Sequence, residues 1–385
     1  MHKILFFGNG AHLNYVTIKY LRNRTNYNPD LLLQDYNHPI YDHPAWEDLP
    51  IKIPQHIIKN HLPEAKKILY NAIKDNNWIM PHWVKEKPIR YSLYDKFITK
   101  YIDNFYTIKK QIKHYINDLK NYDFVYVDGA FGAITALLAN VRYAIRPFGS
   151  DVDIHAFEND YRGIMIRKAL NHAIAIYARP YKQNLKKLGL ENKPEIAPAI
   201  IDTEKLKPKK HTNKVTEFFL ASRLWFEGKG TDKALKAFAR LLSSNDAHLY
   251  CLEYGTDIQK TRSLVQFLGI EKNVTFYDFV ASKPVLVELY NKHDAVIGNL
   301  NYGTIGLTEL EALSCDKTVI AHSKLTSEYY NELPIMNSFS EDEIYSSMKN
   351  VCENRHLPTG MRDFILKYYS IDYFLQGFES VLKSI

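Results

Sequence analysis

The sequence predicts a doubly wound α/β fold built twice, in two domains. Three observations carry this: short β-type runs alternate with amphipathic segments, the alternation occurs in two blocks, and 385 residues exceed what one ordinary core accommodates. In the first block KILFFGN precedes HLNYVTIKYLRN, LLLQDY follows, DFVYVDGA precedes ITALLANV, and AIAIYARP precedes YKQNLKKLGL. Strands alternating with helices imply a parallel sheet covered on both faces. The stretch from about 55 to 120 reads as helical and is a long excursion between two strands, expected as a wall of a cleft.

The second block is cleaner. VTEFFLAS, HLYCLEYG, NVTFYDF, DAVIGNL and KTVIAHS read as strands, separated by TDKALKAFARLL, DIQKTRSLVQFLG, VLVELYNKH and LTELEALS as helices. Between the blocks, the Lys, Pro, His and Asn of EKLKPKKHTNK lack an apolar period and read as a hinge. We therefore place an N-terminal domain at 1–208, a C-terminal domain at 209–362 and a terminal helical segment at 363–385. No shorter repeat of the kind that builds solenoids is present.

Composition narrows the classes of function. Apolar residues at 46% and charged residues at 24% are the balance of a globular protein. No apolar run approaches the ~20 residues that span a bilayer. The three cysteines, Cys251, Cys315 and Cys352, lie on apolar segments, which suits buried thiols in a reducing compartment. A cytoplasmic location is expected. The formal charge of +7 is compatible with anionic small substrates, an anionic membrane surface touched peripherally, or nucleic acid, and does not choose among them.

In open α/β sheets ligands gather beyond the carboxyl ends of the strands. In ASRLWFEGKGTDKAL, Arg223 ends a strand and Lys229 stands just before a helix, so a guanidinium fork and a mobile ammonium can meet one pyrophosphate. In NLNYGTIGLTELEALS, Gly303 and Gly306 let backbone approach a ligand, and the amides of Thr304, Ile305, Gly306 and Leu307 open a helix that favours negative charge. Glu311, one turn inside, can accept both hydroxyls of a ribose. Thr308 and Glu311 also have S/T-x-x-E spacing, the signature of a capping box, and this stretch alone leaves both readings open.

Three other patterns are weaker. Asp151, Val152 and Asp153 spell a metal-binding D-x-D, but three letters decide little. His38, Asp42 and His43 lie among prolines that break helical register, with no further ligand to complete a site. GNGAHL lacks the third glycine of a dinucleotide fingerprint.

LASRLWFEGKGTDKALKAFARL resembles the "R, then K-G, then a helix" element of retaining glycosyltransferase family 4, whose fold is GT-B. GTIGLTELEALSCDKTVIAHS resembles that family's "G-F-G-L-x-x-x-E-A-x-A-x-G-x-P-V-I-A" element, and LGLENKPEIAPAIIDTEKLKP the segment entering its interdomain linker. The resemblance covers most of residues 185 to 325. Toward the N-terminus it rests on GNG and on RPFGSD at 146–151. It implies two Rossmann-like domains facing each other across a cleft, with the C-terminal helix packing back on the first.

It further implies a retaining hexosyltransferase whose co-substrate is a GDP- or UDP-linked sugar, with GDP-mannose the lean. The acceptor is a glycan or other hydroxyl, and neither metal nor nucleic acid takes part. Arg223 and Lys229 would hold the diphosphate and Glu311 the ribose, with backbone at Phe279 and Val280 meeting the base. Gly8, Asn9 and Gly10 would close over the phosphates, and Gly149, Ser150 and Asp151 would lie near the reacting sugar and acceptor. The divergent, tyrosine- and asparagine-rich character is similar to glycosyltransferases encoded by large DNA viruses.

Two departures stand out. The family's first glutamate, eight residues before Glu311, is Gly303 here, and the histidine many members carry before Gly-Ser-Asp is Phe148. The missing carboxylate ordinarily holds hydroxyls of the donor sugar. A nucleotide-sugar-binding protein without transferase activity is therefore the second reading.

Overall fold

The computed structural model describes residues 2–34, 42–87, 104–178, 181–196, 200–324 and 332–384. The chain forms two compact units. The first comprises Met1–Pro44, Ile79–Ile200 and Ile371–Ile385, the second Ala45–Trp78 and Ile201–Ser370. The chain thus passes between units at 200/201, and Ala45–Trp78 lies with the second unit although it precedes most of the first in sequence.

In the first unit the strands are β1 (Ile4–Phe7), β2 (Asp30–Leu32), β4 (Val84–Lys85), β5 (Phe124–Asp128), β6 (Tyr143–Arg146) and β7 (Ala175–Ile176). They lie in the order β4-β2-β1-β5-β6-β7, every neighbouring pair parallel. β1, β5 and β6 are buried along their whole length, which explains their continuous apolar runs. β6 is not expected from sequence, because YAIR is short and ends in an arginine whose place in the sheet the pattern does not signal. One face of the sheet packs under the last helix, Ile371–Lys383. Its Phe374 and Phe378 are buried with Phe6, Phe124 and Tyr126.

The terminal segment is two helices rather than one. Met361–Tyr368 packs in the second unit, where Arg362 donates to the carbonyls of Leu206, Ser314 and Thr203. Only the helix from Ile371 joins the first.

The second unit repeats the topology. β8 (Thr216–Leu220), β9 (Ala247–Leu252), β10 (Val274–Tyr277), β12 (Ala295–Ile297), β13 (Thr318–Ala321) and β14 (Met336–Asn337) lie in the order β10-β9-β8-β12-β13-β14. All neighbours are parallel. Numbered within each sheet, both orders are 3-2-1-4-5-6, the doubly wound arrangement whose direction reverses between the first and fourth strands. In the second unit that reversal falls between β8 and β12, and their following loops carry the two candidate motifs.

A separate two-stranded ribbon pairs β3 (Lys52–Pro54) antiparallel with β11 (Phe279–Ala281). Neither strand was expected from sequence. Of the long excursion, Gln55–Asn60, Leu62–Asp75 and Asn104–Leu119 are helices, and 88–103 lie outside the described residues. Cys251 and Cys315 are buried and Cys352 half-buried, all as free thiols. Among the described residues no helix is long and apolar enough to cross a membrane.

Candidate active site

The loop after β8 is built to present cations. Thr231 opens the helix Thr231–Leu241; its hydroxyl accepts from the Trp225 amide at 3.1 Å and donates to the Arg223 carbonyl at 3.4 Å. Asp257 accepts from the Phe226 amide at 2.9 Å, fixing the turn Phe226–Lys229. Gly230 follows at φ +69°, with the Leu300 side chain 3.0 Å from where a Cβ would stand.

This loop is stitched to the one after β12. The Leu300 amide donates to the Lys229 carbonyl at 3.1 Å, and the Asn301 side-chain amide donates to the carbonyls of Phe226 and Glu227 at 3.0 and 2.8 Å. The ammonium of Lys229 lies 5.8 Å from the Tyr302 ring centre. Burial lowers its pKa, the nearby Glu309 carboxylate raises it, and the Arg223 guanidinium lowers it again. The two cations therefore feel one another, at the topological switch point.

The helix Leu307–Ser314 starts at Gly306, and the capping carboxylate is Glu309 rather than Glu311. Glu309, 2% exposed, accepts from the Gly306 amide at 2.9 Å and from the Asn299 amide at 2.6 Å. This corrects the Thr308–Glu311 box: Gly306 offers no side-chain oxygen, so the acid at the third helical position caps the turn alone. Asn299 in turn accepts from the amides of Asn301 and Tyr302 at 3.1 and 3.2 Å. Thr304, Ile305 and Leu307 are half-buried and Gly306 exposed, and of these four amides that of Gly306 is taken by Glu309.

Gly303, in place of the family's first glutamate, has φ +73°, and its carbonyl accepts from the Lys324 amide at 2.9 Å. A Cβ there would stand 2.5 Å from Lys324 Cγ, so Gly303→Glu meets both strain and a clash.

Glu311 is released from capping and 3% exposed. Its Oε1 pairs with the Lys283 ammonium and its Oε2 accepts from the Tyr290 hydroxyl at 3.1 Å. Burial works against the charge on Lys283, but Glu311, Glu47 and Asp202 outweigh it and hold the pKa above the ordinary lysine value. Sequence reasoning missed Lys283, Tyr290 and Glu47. The first two lie one helical turn or less inside unremarkable segments, and Glu47 comes from the distant four-residue helix Ala45–Asp48.

Burial pushes the Glu47 carboxyl up to about 7, with Lys283 and Lys205 opposing and Glu311 and Asp202 reinforcing. The folded state thus keeps a proton that the unfolded chain, with an ordinary glutamate pKa of 4.5, releases. The resulting stability is complete below that value and lost as pH rises through about 7. Glu47→Gln should flatten the pH dependence, the difference between wild type and variant changing by up to about 3 kcal/mol between pH 4.5 and 7.5. Urea unfolding across that range measures it, and parallel curves would refute it.

The N-terminal candidates gather beyond β1 and β6 of the first unit. Gly8, at φ +96°, accepts at its carbonyl from the Asn14 side chain at 2.9 Å. Asn9, fully buried, accepts from the Tyr15 amide at 2.9 Å and donates to the Asp42 carbonyl at 2.8 Å. The Gly10 amide donates to Asp128 at 2.9 Å. The Phe148 ring fills the space beside this turn, 2.8 Å from where a Gly10 Cβ would stand and 2.6 Å from one at Gly129. Gly149 and Ser150 open the short helix Gly149–Asp153. One oxygen of Asp151 accepts from the amides of Phe148 and Ala130, both at 2.9 Å. Burial raises the Asp151 pKa while those two amides lower it.

Among the described residues no group of three His, Cys, Asp or Glu is arranged to hold a metal ion. His38 lies outside the described residues. His43 is buried, with its pKa lowered by burial to about 4.

Comparison with known proteins bears on the fold and on the sequence of the second unit. The model of the family "Glycosyl transferases group 1" matches residues 202–331, about a third of the chain. None of the curated protein sequences matches. Similar solved structures include sucrose-phosphate synthase from Thermosynechococcus elongatus, with TM-score 0.69 and 11% identity, covering 100% of this chain and 99% of that one. Anabaena HepE, solved in complex with UDP-glucose, has TM-score 0.67 and 14% identity, with 100% of both chains covered. A glycosyltransferase from Rickettsia africae has TM-score 0.63 and 13% identity, covering 100% and 98%. The chain has the fold of the GT-B glycosyltransferases, and its second unit carries the sequence signature of their group 1.

Proposed function

We propose that the protein is a glycosyltransferase of the family 4 type that moves a hexose from a nucleotide diphosphate sugar to a hydroxyl of a glycan or similar acceptor, with retention of anomeric configuration. The observation that carries this reading is the stitching of the β8 and β12 loops, which brings Arg223 and Lys229 to the end of the sheet from which the Thr304–Leu307 backbone also rises.

Breaking the sugar–phosphate bond leaves charge on the diphosphate, and two cations with a helix N-terminus stabilise that charge as it grows. Metal-independent turnover is expected on this account. A phosphate oxygen of the leaving group takes the acceptor's proton, so no side-chain base is required. GDP-mannose is the proposed donor, with UDP-glucose next; HepE was solved with UDP-glucose. In the decisive experiment, a panel of nucleotide sugars is incubated with glycan acceptors, with and without EDTA. Release of nucleoside diphosphate that EDTA leaves unchanged, with product NMR showing the donor's anomeric configuration, is the expected result. Inversion or EDTA sensitivity would overturn the mechanism.

The second reading, a nucleotide-sugar-binding protein without transfer, is favoured by Gly303 and by the Lys324 stem lying where a glutamate side chain would grow. Tight donor binding with no release of nucleoside diphosphate in the same panel would select it.

A further inference from the structure

We infer that residues 45–54 are a strap that seals the nucleoside end of the donor site and must withdraw before a nucleotide sugar binds. The inference rests on the donor-site reading above. If the diphosphate meets Arg223, Lys229 and the Thr304–Leu307 amides and the ribose meets Glu311, the base lies beyond Glu311. What packs there is this segment of chain.

Two observations show the seal. The first is the ribbon register, Phe279 opposite Pro54, Val280 opposite Ile53 and Ala281 opposite Lys52. The Ser282 amide donates to the Ile51 carbonyl at 2.9 Å and the Gln55 amide to the Asp278 carbonyl at 3.0 Å. Hydrogen-bonded pairs alternate along an antiparallel ribbon, so the pair midway between these two, Val280 and Ile53, is also hydrogen-bonded. Both backbone groups of Val280 are then occupied by protein, and a base has no edge to read there. The second is the buried Glu47 of the strap, set beside the Lys283–Glu311 pair, which itself belongs to helices outside the strap. Glu47, carried by the strap, is near enough to influence both Lys283 and Glu311 through charge.

Polar contacts hold the strap at its edges. Ser282 donates its hydroxyl to the Leu49 carbonyl at 2.7 Å while accepting from the Ile51 amide at 2.7 Å. Lys205 bridges Asp48 at 2.7 Å and the Glu47 carbonyl at 3.0 Å, and the Trp78 indole donates to Asp48 at 3.2 Å. Ala45, Trp46, Leu49, Ile51 and Ile53 are buried and anchor it by apolar packing as well. A four-residue helix and a three-residue strand have little stability of their own, so the segment keeps its place only through these contacts with the rest of the unit. A closed strap weakens apparent nucleotide affinity in proportion to the fraction of molecules in which it is open.

Three forms of the full chain test this by calorimetric titration with UDP and with GDP. Glu47→Ala/Asp48→Ala removes the carboxylate that Lys205 and the Trp78 indole hold, together with the buried Glu47 side chain, and should bind the preferred nucleotide at least tenfold more tightly than wild type. Lys52→Cys/Ala281→Cys places cysteines at a non-hydrogen-bonded pair, where Cα atoms stand about 4.5 Å apart, within disulfide range. Oxidised, it should bind at least tenfold more weakly than wild type, with recovery on reduction; the reversal also separates locking from misfolding. Equal affinity in all three forms overturns the strap and leaves the donor site standing. Binding of neither nucleotide by any form overturns the donor-site reading, and the strap with it.

Discussion

Arg223→Ala should leave a folded protein whose release of nucleoside diphosphate, measured as kcat/KM for the donor, falls by about 10² to 10³. The side chain is exposed. The contacts that shape its loop use its backbone carbonyl, through Thr231, and so survive the change. Lys229→Met should do comparable damage while keeping an unbranched apolar side chain and removing only the ammonium near Tyr302. Both cations would stabilise one diphosphate, so the double variant should lose much less than the product of the single losses. Coupled-assay kinetics with circular dichroism as a folding control decide the matter. Turnover within twofold of wild type in both single variants would remove the diphosphate from this end of the sheet.

The second unit was the more legible in sequence because its strands are separated by helices of ordinary length with strong apolar periodicity. VTEFFLAS, HLYCLEYG and DAVIGNL each become one buried parallel strand. The positions of Arg223 and Lys229 follow from that placement, since a loop after the strand beside the switch point can point only to one end of the sheet. What could not be read is which of two nearby glutamates caps the helix. Glu309 and Glu311 are two residues apart, and the choice turns on whether the helix starts at Leu307 or two residues later. Gly298 settles it sterically: a Cβ there would come within 2.3 Å of Glu309, so the glycine leaves room for that carboxylate against the end of β12.

The strap illegibly crosses the division between the blocks. KIP pairs with FVA more than two hundred residues later, and strands that short have no periodic signature of their own. Lys283 was equally silent, because its partner Glu311 lies on another helix and a lysine after a serine ordinarily reads as a solvated helix start. In the first unit, GNG reads as the loop after a strand, while RPFGSD stands out only by resemblance, because the strand before it has no signal of its own. Their mutual packing through Phe148, and the ion pair behind them, depend on which strands are neighbours and therefore on topology.

That ion pair carries the largest stability effect we expect in the first unit. Asp128 ends β5 and Arg146 ends β6; Nη2 lies 2.6 Å from Oδ1, with the side chains 5% and 0% exposed for Arg146 and Asp128 respectively. Burial raises the Asp128 pKa, while Arg146, the Gly10 amide and Asn14 lower it. Arg146→Met leaves that carboxylate buried without its cation and should cost about 3 to 5 kcal/mol. The loss has a pH signature. Without the guanidinium the folded pKa rises further, so the variant's deficit relative to wild type should shrink as pH falls and the carboxyl takes up a proton. Asp128→Leu/Arg146→Met should recover much of the stability, because no charge is then stranded, yet the Gly10 amide loses its acceptor and the turn after β1 should loosen. Native-state hydrogen exchange at the β5 and β6 amides measures the first effect, and exchange at Gly10 the second. A single variant as stable as the double at neutral pH would mean that the pair contributes packing and no electrostatic restraint to the glycine turn.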